Sequence, residues 1–231
     1  MRSPHPSQIW RGLLDLFLQP NCPLCGRSAR NIVCIDCDRQ IEACRYPASR
    51  HSHELNQVPL FAWGQYDRQL KRAITICKFN QQPNIARFLG EKMAQAQELV
   101  PKSIIANPRL NIVPIPLHPQ KLRMRGFNQA ELIASRFGDR TGLRVLPHLL
   151  KRIKNTKPQF ETKSRQEREE NLNNAFMVDR KFQSLYSQTN FSVLLLDDIY
   201  TSGATIRSAI AALNKAKIKV AGVVVLSKTS Y

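Results

Sequence analysis

No apolar run in this chain is long enough to cross a bilayer. The longest, VLLL at Val193–Leu196 and VAGVVVL at Val220–Leu226, fall far short of the ~20 residues a spanning helix needs. Membrane insertion is therefore not expected. The N-terminus has an apolar cluster of Ile9, Trp10, Leu13, Leu14, Phe17 and Leu18. Arg11 and Asp15 interrupt it, and no small-residue cleavage site follows. The spacing predicts a short amphipathic helix rather than a signal peptide, and a cytoplasmic chain is expected. Acids are scarce, 17 against 35 Lys and Arg. Aromatic residues make up 7% and do not interleave with the basic stretches, which argues against a base-stacking platform. GxxxxGK and GxGxxG are both absent, which excludes the two commonest glycine-rich nucleotide loops. There is no internal repeat or low-complexity tract.

What remains is a globular chain. Hydrophobic residues make up 42% of its 231 positions, enough for a sizeable core in one or two domains. The net charge of +18 attracts nucleic acid, anionic lipid or polyphosphate substrates. Leu117–Arg168 holds 13 basic and 4 acidic residues, a surplus of 9. Half of the net charge thus lies in under a quarter of the chain. A solvated basic surface, an anion site and a nucleic-acid surface all fit that bias.

Four of the six cysteines form Cys22-x-x-Cys25 and Cys34-x-x-Cys37. Each pair turns two thiolates toward one ion, and two pairs close a tetrahedral shell. Such a shell has no open position for substrate, so a structural zinc knuckle is expected. Four buried or redox-active cysteines, or an iron–sulfur cluster, would leave the same pattern. Cys44 and Cys77 read as core residues.

The rest alternates strands and helices. Arg45–Asn56 is polar and reads as a linker. Val58–Tyr66 is expected to be a strand, and Asp67 an N-cap for a helix burying Leu70, Ile74, Cys77 and the stem of Lys78. Pro83 opens a second helix with Ile85, Leu89, Met93 and Ala96 on one side. Asn111–Pro116 reads as a strand, Gly126–Gly138 as a helix with Ala130, Ile133, Ala134 and Phe137 inward, and Leu143–Leu150 as a strand. Lys151–Arg168 has no apolar period and reads as a flexible loop. Asn174–Val178, Val193–Leu196 and Val220–Leu226 read as strands, with a helix over Ser202–Ala216. The expected fold is α/β, with a mostly parallel sheet flanked by helices and a small N-terminal zinc knuckle. The expected division is 1–56 for the N-terminal helix, knuckle and linker, and 57–231 for the α/β domain.

The sharpest signal is Val193–Thr205. A buried strand ends at Asp197 and Asp198, and Thr201, Ser202, Gly203, Ala204 and Thr205 then open a helix. Ligands of open α/β sheets bind at this end of the strands. A helix start offers unpaired N–H groups, glycine allows close approach, and the hydroxyls add donors for a phosphate. Carboxylates repel phosphate, so the two acids suit a ribose diol or Mg²⁺. An N-capped helix with exposed acids is the plainer alternative.

This segment resembles the phosphoribosyl diphosphate (PRPP) loop of type I phosphoribosyltransferases. The resemblance implies that Asp197 and Asp198 hold the ribose hydroxyls, that Thr201–Thr205 hold the 5′-phosphate, and that Mg²⁺ binds with the pyrophosphate. Cys22–Cys37, Val113–Ala134 (VPIPLHPQKLRMRGFNQAELIA) and Leu150–Phe176 narrow it to the ComF family of competence-associated proteins, which resemble phosphoribosyltransferases and are associated with DNA uptake. Pro114–Arg125, with Lys121, Arg123 and Arg125, corresponds to the loop that contacts pyrophosphate, and His118 on it suits an anion contact or a structural role. Lys151–Arg168 corresponds to a lid that closes on PRPP. Its Lys163, Arg165 and Arg168 are candidates to reach the leaving pyrophosphate, and Arg165 joins Asp197 and Asp198 as a catalytic candidate. Thr201 stands where purine-salvage enzymes carry an acid, so a 6-oxopurine acceptor is disfavoured and the acceptor is open. Three functions fit the resemblance: a phosphoribosyltransferase, a PRPP- or nucleotide-sensing module, and a non-catalytic adaptor binding single-stranded DNA or a competence helicase. His51 and His53 read as solvated.

Overall fold

A computed structural model describes residues 20–50, 52–55, 57–96, 99–154, 175–187 and 189–229. The expected N-terminal helix, His51, and the lid residues Lys163, Arg165 and Arg168 lie outside them, as does the side chain of His53. The described chain runs through helix α1 (Ile35–Glu42), strands β1 (Ser52–Leu55) and β2 (Val58–Gln65), and helices α2 (Arg68–Phe79), α3 (Pro83–Gln95) and α4 (Lys102–Ile105). Strand β3 (Leu110–Pro114), helices α5 (Pro119–Arg125) and α6 (Gln129–Thr141), and strands β4 (Arg144–Val145), β5 (Leu150–Arg152) and β6 (Phe176–Val178) follow. Helix α7 (Gln183–Tyr186), strand β7 (Ser192–Tyr200), helix α8 (Ala204–Lys215) and strand β8 (Lys219–Lys228) complete it.

The sheet has the order β1-β2-β8-β7-β3-β4, parallel except for β1, and β5–β6 form a separate antiparallel hairpin. The fold is therefore α/β with a mostly parallel sheet flanked by helices, as expected. Side chains alternate across the strands and divide the core in two. Trp63, Ile112, Leu194, Leu196, Val224 and Leu226 face α2, α3 and α6. Ala62, Val113, Val193, Leu195, Val223 and Val225 face α8 and the β5–β6 hairpin. Fully burying one such aliphatic side chain is worth about 1.5–3 kcal/mol.

The first core continues into the knuckle through Cys22, Leu24, Val33, Cys37 and Ile41. The boundary expected at residue 56 falls between β1 and β2, two paired strands of one sheet. Gly90 lets α3 press on α6, because a Cβ there would lie 2.7 Å from the Ile133 carbonyl oxygen.

Several local expectations need correction. Ser52–Leu55 is not linker but an antiparallel edge strand, because β2 offers it a free edge. Leu143–Leu150 is not one strand. Pro147 has no N–H for a ladder, so the chain leaves β4 after Val145 and re-enters at β5. The expected loop Pro114–Arg125 contains α5, started by Pro119 in its first turn and by His118, whose side chain accepts the Gln120 N–H. Helix α6 begins at Gln129, three residues after Gly126. Its N-cap Asn128 accepts the Ala130 N–H and donates to the Ile115 carbonyl. Strand β7 runs through both acids to Tyr200, and α8 starts at Ala204.

Candidate phosphoribosyl site and metal centre

β7 lies between β3 and β8. From β3 the chain turns outward to β4 over one face, and from β7 it turns to β8 over the other. Helices α6 and α8 thus pack on opposite faces, and the crevice between β3 and β7 is a topological switch point. β3 ends at Pro114, opposite Leu196, so Asp197 and Asp198 stand at the mouth of that crevice.

Strand alternation sends the two acids to different sides. Asp198 points toward α2 and α6. Its Oδ2 is 2.5 Å from Lys78 Nζ, and its Oδ1 accepts a bond of 3.4 Å from Gln129 Nε2. Gln129 in turn accepts a bond from Arg125. Asp197 is held by the Asp198 N–H, 2.8 Å from its Oδ1, and feels the Arg152 guanidinium from the hairpin side. Arg152 is also 5.5 Å from the Phe176 ring centroid. The hydroxyl of Ser227, fully buried on β8, donates to the Asp198 carbonyl at 3.1 Å and fixes the strand end.

The two carboxyls are electrostatically split. Burial and the Asp198 charge push Asp197 well above the ordinary carboxylate range. Burial pushes Asp198 the same way, but Lys78 and the hydrogen bonds from Asp197 and Gln129 outweigh it and leave Asp198 below its ordinary value. Burial lowers Lys121, and repulsion from Arg152, Arg125 and Lys78 lowers it further. Burial also lowers Arg125. The thiol of Cys77 sits close enough to Asp198 that burial and that charge push it up to about 11. Among the described residues, two acids thus stand among four cations, Lys78, Lys121, Arg125 and Arg152.

Beyond Tyr200 the chain bends through Thr201 and Ser202, both exposed, to a buried Gly203 at φ +74. A side chain at Gly203 would collide with the Tyr200 ring and hydroxyl and with the Arg207 guanidinium. Arg207 Nη1 donates to the Ser202 carbonyl at 2.9 Å, which braces the turn. The N-cap of α8 is Gly203, which has no side chain to cap it, so the first N–H groups of the helix lie at the turn. Ala204 and Thr205 are half-buried at that helix start.

Of the residues read from the sequence, the structure gathers Asp197, Asp198, Lys121 and Arg125, with Thr201–Thr205 at the next helix start. Arg123 lies on the exposed side of α5, and Arg165 is outside the described residues. Lys78, Gln129 and Arg152 also stand at the two acids, and the sequence alone does not single them out. Their common signal is a long polar side chain at an inward position: Lys78 beside Cys77 on the buried stripe of α2, and Gln129 at the first turn of α6.

At the knuckle, the Sγ atoms of Cys22, Cys25, Cys34 and Cys37 all lie within 4.8 Å of one another, with Cys25 and Cys34 at 3.5 Å. A tetrahedral zinc–thiolate shell needs sulfur separations near 3.8 Å, given a bond of about 2.3 Å. The group can hold a metal ion. Burial opposes ionisation of Cys22, but backbone donors at Cys34, Leu24 and Cys25 outweigh it and bring the thiol to about 7. Gln69 Nε2, from α2, is 3.1 Å from Cys37 Sγ and ties the knuckle to the body.

Curated relatives span most of this chain. Competence protein F of Haemophilus influenzae is 28% identical over 204 residues, covering 81% of this chain and 86% of that protein. Competence protein ComFC of Bacillus subtilis is 28% identical over 190 residues, covering 81% and 69%. DNA utilization protein YhgH of Salmonella typhimurium is 25% identical over 189 residues, covering 80% of each. The chain is a homologue of the ComF competence proteins. No protein-family profile matches it. Among solved structures it resembles the glutamine PRPP amidotransferase of B. subtilis, complexed with ADP and GMP. That likeness has a TM-score of 0.36 at 17% identity, over 61% of this chain and 25% of the other. Among the described residues of this ComF homologue, no helix is long and apolar enough to cross a membrane.

Proposed function

We propose that this ComF homologue binds 5-phosphoribosyl diphosphate, or a closely related phosphoribosyl ligand, in the setting of DNA uptake. One observation carries the reading. Two buried acids at a sheet switch point stand among four cations, next to a helix start whose N-cap is a left-handed glycine. The donors at Thr201–Thr205 suit a 5′-phosphate. Asp197 and Asp198 suit the ribose hydroxyls. Lys121 and Arg125 suit the diphosphate, since guanidinium and ammonium groups favour phosphate oxygens. Asp197 and Asp198 would also help to hold a Mg²⁺ bound with the diphosphate, which would supply charge neutralisation at the phosphates. The setting rests on the relatives, whose names speak of competence and DNA utilization. The cysteine shell would hold a structural zinc.

The reading is tested by calorimetric titration of the full chain with PRPP and Mg²⁺, in parallel with single-stranded DNA. Saturable PRPP binding, lost in Asp197→Asn/Asp198→Asn, is expected. Salt-sensitive DNA binding that survives that double change, with no PRPP binding, would favour the adaptor reading instead.

A further inference from the structure

Lys78 and Asp198 make a buried ion pair at the mouth of the site, with side chains 18% and 6% exposed and 2.5 Å between charged atoms. Such a pair adds little to stability over an apolar pair of similar volume, because desolvation offsets its attraction. Its position points to use in binding.

The surroundings sharpen that. Lys78 is the fourth cation of a cluster that also holds Lys121, Arg125 and Arg152, and Asp197 and Asp198 stand among them. Four cations gathered at one crevice mouth suit the anionic oxygens of a diphosphate. Meanwhile the acid pair is already engaged. Asp197 Oδ1 takes the Asp198 N–H, and Asp198 Oδ1 takes Gln129. Asp198 Oδ2 meets the Lys78 ammonium and, among the described residues, no hydrogen-bond donor besides it. A divalent cation arriving alone would have to enter beside that ammonium, and like charges a few ångströms apart inside a protein repel strongly. Small divalent cations also demand close carboxylate oxygens, at about 2.0–2.1 Å for Mg²⁺. Lys78 is in the last turn of α2, on a four-carbon stem that can swing without moving the helix.

We propose that Lys78 is an exchangeable counter-ion. In the ligand-free protein its ammonium holds the cation position at Asp198, and it passes to phosphate oxygens when a diphosphate-bearing ligand enters with its own divalent cation. The proposal deepens the phosphoribosyl reading and rests on it. It makes binding ordered: the acid pair excludes a free divalent cation and admits one only together with the phosphates that draw Lys78 away.

The test uses Mn²⁺ as the probe, its unbound fraction read by electron paramagnetic resonance, on the zinc-loaded full chain. Wild type is expected to take up no Mn²⁺ at the acids until PRPP is added. Lys78→Met is expected to bind Mn²⁺ alone, to lose that ion in Lys78→Met/Asp198→Asn, and to bind PRPP about tenfold or more weaker, the scale of one charged hydrogen bond. Lys78→Gln keeps a donor without the charge and replaces Lys78→Met if the latter fails to fold. The counter-ion role is overturned if wild type binds Mn²⁺ alone as tightly as the lysine variant, or if the variant binds PRPP as tightly as wild type. If wild type fails to bind PRPP at all, the phosphoribosyl reading falls. The comparison of Mn²⁺ uptake without PRPP still decides whether Lys78 guards Asp198.

Discussion

Asp197 and Asp198 are adjacent on β7, yet they face opposite sides of the sheet and opposite electrostatic fates. Asp198 sits against Lys78 and Gln129 beneath α2 and α6. Asp197 accepts the Asp198 N–H and faces the hairpin that carries Arg152. Strand alternation causes the split, and it predicts that the two acids respond oppositely to neutralisation.

Asp198→Asn leaves Lys78 charged, buried and unpaired, and should destabilise the ligand-free protein by about 3 kcal/mol. Asp197→Asn removes a carboxyl that burial and Asp198 already disfavour, and should stabilise by about 1 kcal/mol at neutral pH. The sign with pH follows from linkage. A carboxyl whose folded pKa is raised binds its proton more tightly in the native state. Its penalty is therefore absent below the ordinary carboxylate pKa and grows as pH rises through the raised one. The advantage of Asp197→Asn should vanish in acid. Denaturant unfolding of both variants from acid to neutral pH checks this, and equal signs for the two would refute it. Ligand binding should be lost in both.

Zinc is expected at one ion per chain, measurable by elemental analysis of purified protein. Stripping it with a chelator should lower the melting temperature of the whole chain, not of a separate unit, because the knuckle shares its core with α2 and α3. A separate early transition in calorimetry would contradict this.

Gln69 donates to Cys37 across the junction between knuckle and body. Gln69→Ala should keep the four thiolates but weaken zinc retention about tenfold, the usual scale for a partner one shell out from the metal. Competition with a chromophoric chelator reads this directly, and unchanged retention would show the contact to be incidental.

Gly203→Ala places a methyl against Tyr200 and Arg207 at a backbone φ of +74. The left-handed backbone alone makes a loss of about 1–2 kcal/mol expected, and PRPP affinity should fall as the turn shifts. Gly90→Ala is the control. Its methyl meets the Ile133 carbonyl oxygen at 2.7 Å between α3 and α6, so overpacking should cost about 1–3 kcal/mol. That position is away from the turn, so affinity measured on the folded fraction should hold.

Much of this molecule was legible locally. The cysteine spacing placed four sulfurs within reach of one ion. Helical periodicity picked the buried sides of α2, α3 and α6, and Asp67 and Pro83 marked two helix starts. The order of acids, hydroxyls and glycine after a buried strand located β7, its turn and α8. These features are set by contacts within a few residues, where residue type and spacing decide the geometry. The tertiary structure decided what lies across the sheet. It made an edge strand of Ser52–Leu55 by pairing it with β2, and joined the knuckle to the main core. It carried Gln129 to Asp198 across 69 residues, and brought Lys78 and Arg152 to the two acids from other elements. A polar side chain at an inward position is visible in a sequence, but its partner depends on strand order. Here that order puts β7 between β3 and β8, so the same two acids meet α2 and α6 on one side and the hairpin on the other.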